Sequence, residues 1–209
     1  MPQKLKNPAP VTVDQTTSEA ASIIFRHFFE YLLTWEETAK TWDDIEGVHQ
    51  VRISFRKIRS AFALFRDAIP KAASQPWNQE IRWIAGEMGL ARDLDVFIDE
   101  GLGAVRGKLP FLGEQNLVAL AMAAREKTYR EQVRPMLESE RYAKFKTGFQ
   151  HWYQQREWET AELSKKQQTN LQMKLGKYSR KLLDKQERRV LARGSNIDRN
   201  DAYEMHQLR

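Results

Sequence analysis

Cysteine is absent from all 209 residues. A disulfide framework and a thiolate metal site are thereby excluded, and a reducing compartment is the natural setting. Histidine is scarce, and its four copies are scattered without zinc-ligand spacing. No apolar run approaches the roughly 18–20 residues of a membrane span. Residues 1–10 hold no stretch that could serve as a signal peptide. There is no glycine-rich phosphate loop followed by Lys-Ser/Thr, and no Ser in a nucleophile context. Strand-like alternation of useful length is missing too. A cytoplasmic protein without a membrane span, cofactor or metal is expected.

What is present is charge. Charged residues make up 30% of the chain and hydrophobic ones 41%, so a real core is affordable alongside well-solvated helix faces. The net charge of +6 is unevenly spread. Residues 1–105 carry 12 Lys and Arg against 15 Asp and Glu, residues 106–209 carry 22 against 13, and residues 171–193 carry eight against two. Charge gathered on one segment is a local field aimed at a partner of opposite sign.

The apolar spacing predicts an all-α fold. Residues 1–16 read as a flexible tail. Ser18 precedes a helix to about Lys40. Asp43-x-x-Glu46 has the form of a capping box for a second helix, to about Ile69. A third runs from about Gln75 to Glu100. Glycines 101, 103 and 107 with Pro110 mark a joint between two helical halves, 17–110 and 111–209. The second half reads as helices at about 114–136, 139–157 and 169–193, then a break at Gly194-Ser195-Asn196 and a helix from Asp201. Residues 159–168 read as a polar loop.

The tetrapeptide His-Gln-hydrophobic-Arg occurs twice, at His49–Arg52 and at His206–Arg209. Each copy has an acid five residues before its His (Asp44, Asp201). The repeat predicts two pseudo-symmetric antiparallel bundle lobes, the second incomplete. On that expectation Leu171, Leu175, Tyr178 and Leu182 lack part of their cover, and the chain either self-associates or folds stably only through residues 18–105 with a looser second half.

On the second helix His49, Arg52, Arg56, Arg59 and Arg66 fall within a sector of roughly 100°. The apolar stripe of Val51, Phe55, Ile58, Phe62, Phe65 and Ile69 lies beside it, and no acid stands between His49 and Arg66. On the sixth helix Lys174, Lys177, Lys181, Lys185 and Arg188 share about 80° of arc, flanking Leu171, Leu175, Tyr178 and Leu182. Arg189 falls on the apolar side and is expected to reach inward. A cation run on a helix is commonly just a solvated face. Two such runs, each beside a core face, instead suggest the walls of a groove or pore for a polyanion. His27 reads as a packed core or boundary residue and His151 as a surface or packing residue. In Arg92-Asp93-Leu94-Asp95 the carboxylates point about 200° apart, so they cannot share one metal. One of them orienting an Arg is the favoured role.

Gly47-Val48-His49-Gln50-Val51-Arg52, with Arg56, Lys57 and Arg59, then Arg82-Trp83-Ile84-Ala85-Gly86-Glu87-Met88-Gly89 and Arg92-Asp93-Leu94-Asp95-Val96, resembles the CHAD domain, the conserved histidine α-helical domain. Leu182-Leu183-Asp184 and Arg188-Arg189-Val190-Leu191, with His206 and Arg209, are similar to the start of its second half. The resemblance spans about residues 18–209. It implies a two-lobed helical fold with a basic central surface, binding of inorganic polyphosphate, and no catalytic activity. It also implies the site set: His49, Arg52, Arg56, Lys57, Arg59, Arg66, Arg82, Arg92, Lys174, Lys177, Lys181, Lys185, Arg188, Arg189, His206 and Arg209. Association with polyphosphate granules would follow. The Glu-x-Glu-x-Lys signature of the triphosphate tunnel enzymes that often accompany the family is missing. Nucleic-acid binding through the same cations is the alternative. An enzyme acting on small phosphorylated substrates is the third reading, but it needs a base or metal site that the sequence does not offer.

Overall fold

The computed structural model describes residues 2–4, 8–105, 107–108, 111–195, 197–198 and 200–208. Arg209, Pro110 of the expected joint and Asn196 of the expected break lie outside them. Among the described residues the regular structure is helical, without a strand, as the sequence predicts. The elements are α1 (Thr17–Ala39), α2 (Glu46–Phe65), α3 (Lys71–Glu87), α4 (Gly89–Val96), α5 (Leu102–Val105), α6 (Phe111–Thr128), α7 (Arg134–Leu137), α8 (Glu140–Gln155), α9 (Lys165–Gln172), α10 (Leu175–Gly194) and α11 (Ala202–Leu208). One-turn π-helical stretches join α4 to α5 at Phe97–Gly101 and α6 to α7 at Tyr129–Val133.

The α1–α2 hairpin is the frame of the molecule. α1 opens on a full capping box, in which Thr16 accepts from the Glu19 N–H and Glu19 accepts from the Thr16 N–H. The cap is therefore Thr16 and not Ser18. Ser18 is buried, takes the Trp158 indole N–H at 2.8 Å and donates to Glu159. No capping box forms at Asp43-x-x-Glu46. Asp44 accepts the Glu46 N–H instead, at 2.8 Å. The tight return depends on Gly47, where a Cβ would sit 2.5 Å from the carbonyl carbon of Thr38. That distance is impossible for a side chain, so glycine lets the head of α2 touch the end of α1.

One aromatic core holds the helices together. Phe25 and Phe29 of α1 and Phe55, Phe62 and Phe65 of α2 meet Phe145, Phe149 and Trp152 of α8, together with Trp158. The residues at 17–110 and 111–209 thus bury their rings against each other. Phe25 alone contacts Phe62, Phe149, Trp152 and Trp158. Truncating it to Ala would cost about 3–5 kcal/mol, as for other fully buried rings.

Three boundaries differ from expectation for physical reasons. α3 starts at Lys71, behind an extended Pro70, and carries Pro76 inside it; the helix gives up one backbone N–H there and continues. The sixth predicted helix is two helices, broken at Met173–Lys174, where the backbone is extended. α9 begins earlier than expected, in the predicted loop, with a capping box of Ser164 and Gln167. The break exists because the supposed tail docks there. The Thr17 N–H donates to the Met173 carbonyl, and the Leu175 and Gly176 N–H groups donate to the carbonyls of Gln15 and Val13. Residues 13–16 are therefore a strap that caps α10, correcting the flexible-tail reading for that stretch.

The strap and the α1–α2 hairpin also cover the second-half residues expected to be bare. Leu171 and Tyr178 are buried, and Leu175 and Leu182 pack against the core. Leu183, Val190 and Leu191, farther along α10, are exposed.

Candidate functional site

The acid-free stripe of α2 faces a groove whose opposite wall is α3 and the start of α4. The groove has two compartments. The narrow one, about 320 Å³, is lined by His49, Arg52, Ile53, Phe55, Arg56, Arg59, Ala85 and Arg92. The wide one, about 790 Å³, is lined from α2 by Arg56, Arg59, Ser60, Phe62, Ala63 and Arg66, with Ile69 beyond it. Lys71, Ser74, Gln75, Asn78, Gln79 and Arg82 supply the α3 side. Arg56 and Arg59 belong to both compartments, so the two are continuous. From His49 to Arg66 is 17 residues of helix, about 25 Å at 1.5 Å per residue.

No carboxylate lines either compartment. Among the described residues Arg56, Arg59, Arg66, Arg82 and Arg92 form no salt bridge. Arg52 is half-buried and donates through Nη1 to the Ala85 carbonyl at 2.6 Å. That bond fixes the guanidinium against α3 and leaves its other N–H groups for the groove. His49 is partly buried at the head of α2. Its pKa is pushed below the usual 6.5, first by burial and then by the Arg92 guanidinium, with Glu46 opposing. The imidazole is therefore neutral at pH 7 while the groove holds no anion. Lys4 closes on Glu46 at 3.0 Å, so the nearest carboxylate is itself engaged.

The remaining predicted site residues lie elsewhere. Lys57 points to the α1 side of α2, its ammonium 5.3 Å from the centroid of the Phe28 ring. None of the α10 cations lines the groove. Lys174 pairs with Asp14 and Lys185 with Asp67, both at 2.9 Å. Lys181 donates to Asn170 at 3.3 Å, and Arg188 to the carbonyl of Asp184 on its own helix. Lys177 is exposed. Arg189, expected to reach inward, is exposed as well. The two stripes thus do not face each other. Lys185 does approach the foot of α2 through Asp67, and Tyr178 donates to the Leu64 carbonyl at 3.0 Å. His206 is exposed on the short α11.

Asp95 has the orienting role expected of one carboxylate in its cluster. It is fully buried, accepts from Arg125 Nε at 2.5 Å and from the Tyr129 hydroxyl at 2.9 Å. Arg125, on α6, also donates to the Trp42 carbonyl. Burial first, and the Asp95 charge second, hold the Tyr129 hydroxyl far above its ordinary pKa. This cluster pins α6 to α4 and to the α1–α2 turn. His27 sits half-buried against Phe28, as a boundary residue would, and His151 is exposed beside Glu157.

Lys71 and the hydroxyl and amide side chains of α3 were not legible as site residues. The signal was Pro70. Pro70 is extended and stands as the N-cap of α3, so the helix opens at Lys71.

The family model for the CHAD domain matches residues 23–209. The crystal structure of the CHAD domain from the plant Ricinus communis is similar to this chain, with a TM-score of 0.67 and 24% sequence identity. The match covers 95% of this chain and 62% of that one, so the chain spans less than two thirds of the length of that structure. At this identity the likeness shows the fold. No curated protein matches the chain.

Proposed function

The chain belongs to the CHAD domain family, and on that footing we propose that its α2 groove binds inorganic polyphosphate without catalysing a reaction. One observation carries this reading: a continuous groove about 25 Å long, walled by His49, Arg52, Arg56, Arg59, Arg66, Arg82 and Arg92, with no carboxylate on its lining.

Like charges held this close repel one another, and a bound polyanion relieves the repulsion. Arg guanidinium forks take phosphoryl oxygens two at a time, and Lys71 adds a point charge. His49 takes up a proton as phosphate approaches, since the anion reverses the effect of Arg92. Successive phosphates on one chain act as linked ligands, so affinity grows with chain length until the groove is full.

The nucleic-acid alternative is less well supported. Base-stacking sites need exposed rings, whereas the aromatic residues lining the groove, Phe55 and Phe62, are 1% and 6% exposed. No helix among the described residues is long and apolar enough to cross a membrane. A cytoplasmic location, with association to polyphosphate granules, is part of the same proposal. Competition between polyphosphate, single-stranded RNA and ATP for one labelled site, at fixed salt, tests the reading. Polyphosphate should win by orders of magnitude, and RNA winning would favour the alternative.

A further inference from the structure

The two compartments differ in chemistry as well as in size. The narrow one offers cations against a mostly apolar and backbone lining. The wide one sets cations around a patch of neutral hydrogen-bonding groups. Arg56, Arg59 and Arg66 stand on the α2 side, and Lys71 and Arg82 at the two ends of the α3 side. Between Lys71 and Arg82 the α3 wall presents Gln75, Asn78 and Gln79. Eleven residues of helix separate Lys71 from Arg82 and ten separate Arg56 from Arg66, so each wall spaces its outer cations by about 15–17 Å.

A linear phosphate chain carries acceptor oxygens only. It can engage the amide N–H groups of that wall but leaves the amide oxygens to water. A ligand that presents phosphates outward in several directions, with hydroxyls on the same ring, matches both kinds of group. Its phosphates reach the surrounding cations, and its hydroxyls both donate to and accept from Gln75, Asn78 and Gln79. The rings of this groove are too deeply buried to stack on a nucleobase, which argues against a nucleotide as that ligand.

We propose that the wide compartment is a subsite for a compact cyclic polyol carrying several phosphates, recognised by the α2 and α3 cations together with the α3 amides. This rests on the reading of the groove as a polyanion site. Because Arg56 and Arg59 serve both compartments, such a ligand excludes the linear chain from part of the groove and competes with it.

Isothermal titration of the full chain at fixed salt with an inositol tetrakisphosphate, which keeps two ring hydroxyls free, and with linear polyphosphate tests this. The variant Gln75→Ala/Asn78→Ala/Gln79→Ala keeps every charge and places a good helix former at each position. The inositol tetrakisphosphate is expected to bind the parent one-to-one and to displace polyphosphate. The triple variant should weaken it by more than about tenfold, from three lost neutral hydrogen bonds, and weaken polyphosphate less than about threefold. Equal losses for both ligands, or no loss for either, would overturn the amide-assisted subsite. If polyphosphate binds the parent but the inositol tetrakisphosphate does not displace it, the subsite is wrong and the polyphosphate reading stands. If neither ligand binds the parent, the polyphosphate reading itself fails.

Discussion

α2 and α10 are each 20 residues long and each carry cations at helical spacing beside an apolar face, but they use those cations differently. On α2 the charges meet a second wall, and the acids that could neutralise them are absent from the groove. On α10 and at its cap the charges meet groups of this same chain, namely the carboxylates of Asp14 and Asp67, the Asn170 amide oxygen and the Asp184 carbonyl, or solvent. The lesson is about desolvated company. A stripe becomes a site when another element stands opposite it and brings no counter-charge. It becomes a structural tether when the neighbouring element brings one.

Arg125 marks the tethering extreme, being 4% exposed and bound to Asp95. Asp95→Ala should therefore have the largest effect of all, lowering stability by about 3–5 kcal/mol through an uncompensated buried cation, as read by urea unfolding. A loss under about 1 kcal/mol would mean that water reaches Arg125.

Next in size comes the groove itself. Arg56→Ala/Arg59→Ala removes the two residues common to both compartments. Polyphosphate affinity should fall by more than about 2 kcal/mol, each charge-assisted bond contributing about 1.5–3. The slope of log affinity against log salt should shrink by roughly one to two. An unchanged titration curve would reduce the groove wall to a solvated face.

The pH response should separate the two regions further. The His49 pKa lies below 6.5 without a ligand, and a bound polyanion would raise it by favouring the charged imidazolium. Binding therefore takes up a proton in the window between the two values. Affinity should rise as pH falls through that window and be flat well above it. Titrations in buffers of different ionisation enthalpy read the proton directly. His49→Gln should abolish the uptake, while His206→Gln should leave it unchanged.

Smaller still is the effect expected on α10. Lys177→Ala/Arg188→Ala should change polyphosphate affinity less than about threefold, in contrast to the groove pair, because those side chains stand outside the groove. A loss matching that of Arg56→Ala/Arg59→Ala would break the comparison and bring α10 into the site.

The least effect belongs to Lys185→Ala, a loss of less than about 1 kcal/mol of stability at pH 7 for a partly exposed pair. The hydrogen bond from Lys185 holds the Asp67 carboxyl below its ordinary pKa. Its contribution is present above the unfolded pKa and disappears as pH falls through the folded one. Parent and variant should therefore converge in acid, which denaturation curves at several pH values would show.

The sequence disclosed the parts governed by local rules. The all-α class, the α2 stripe and the orienting role for one acid of the Asp93/Asp95 pair all follow from spacing or from side-chain chemistry. What it concealed was set by distant partners. Leu171, Leu175 and Tyr178 keep helical spacing across Met173, so the break between α9 and α10 shows only once residues 13–16 dock on it. Lys57 sits next to Arg56 in the chain, but Phe28 of α1 claims it. The Arg serving Asp95 is 30 residues away. Nothing in the α3 amides announces a site until the wide compartment puts them opposite Arg56 and Arg66.

The strap across α10 has a consequence for the order in which the molecule assembles. Its bond from Thr17 joins residues 156 apart, and Ser18 waits for Glu159 and Trp158. Closing so long a loop is entropically late work. Both groove walls, by contrast, come from residues 49–92, joined by short connections. During synthesis from the N-terminus, the chain emits every residue of the groove walls before the segments that complete its core exist. A polyanion present at that stage would meet the cations of α2 and α3 while the start of α1 is still unfastened. It would favour the hairpin geometry those cations require, acting on the nascent chain as a template as well as a ligand.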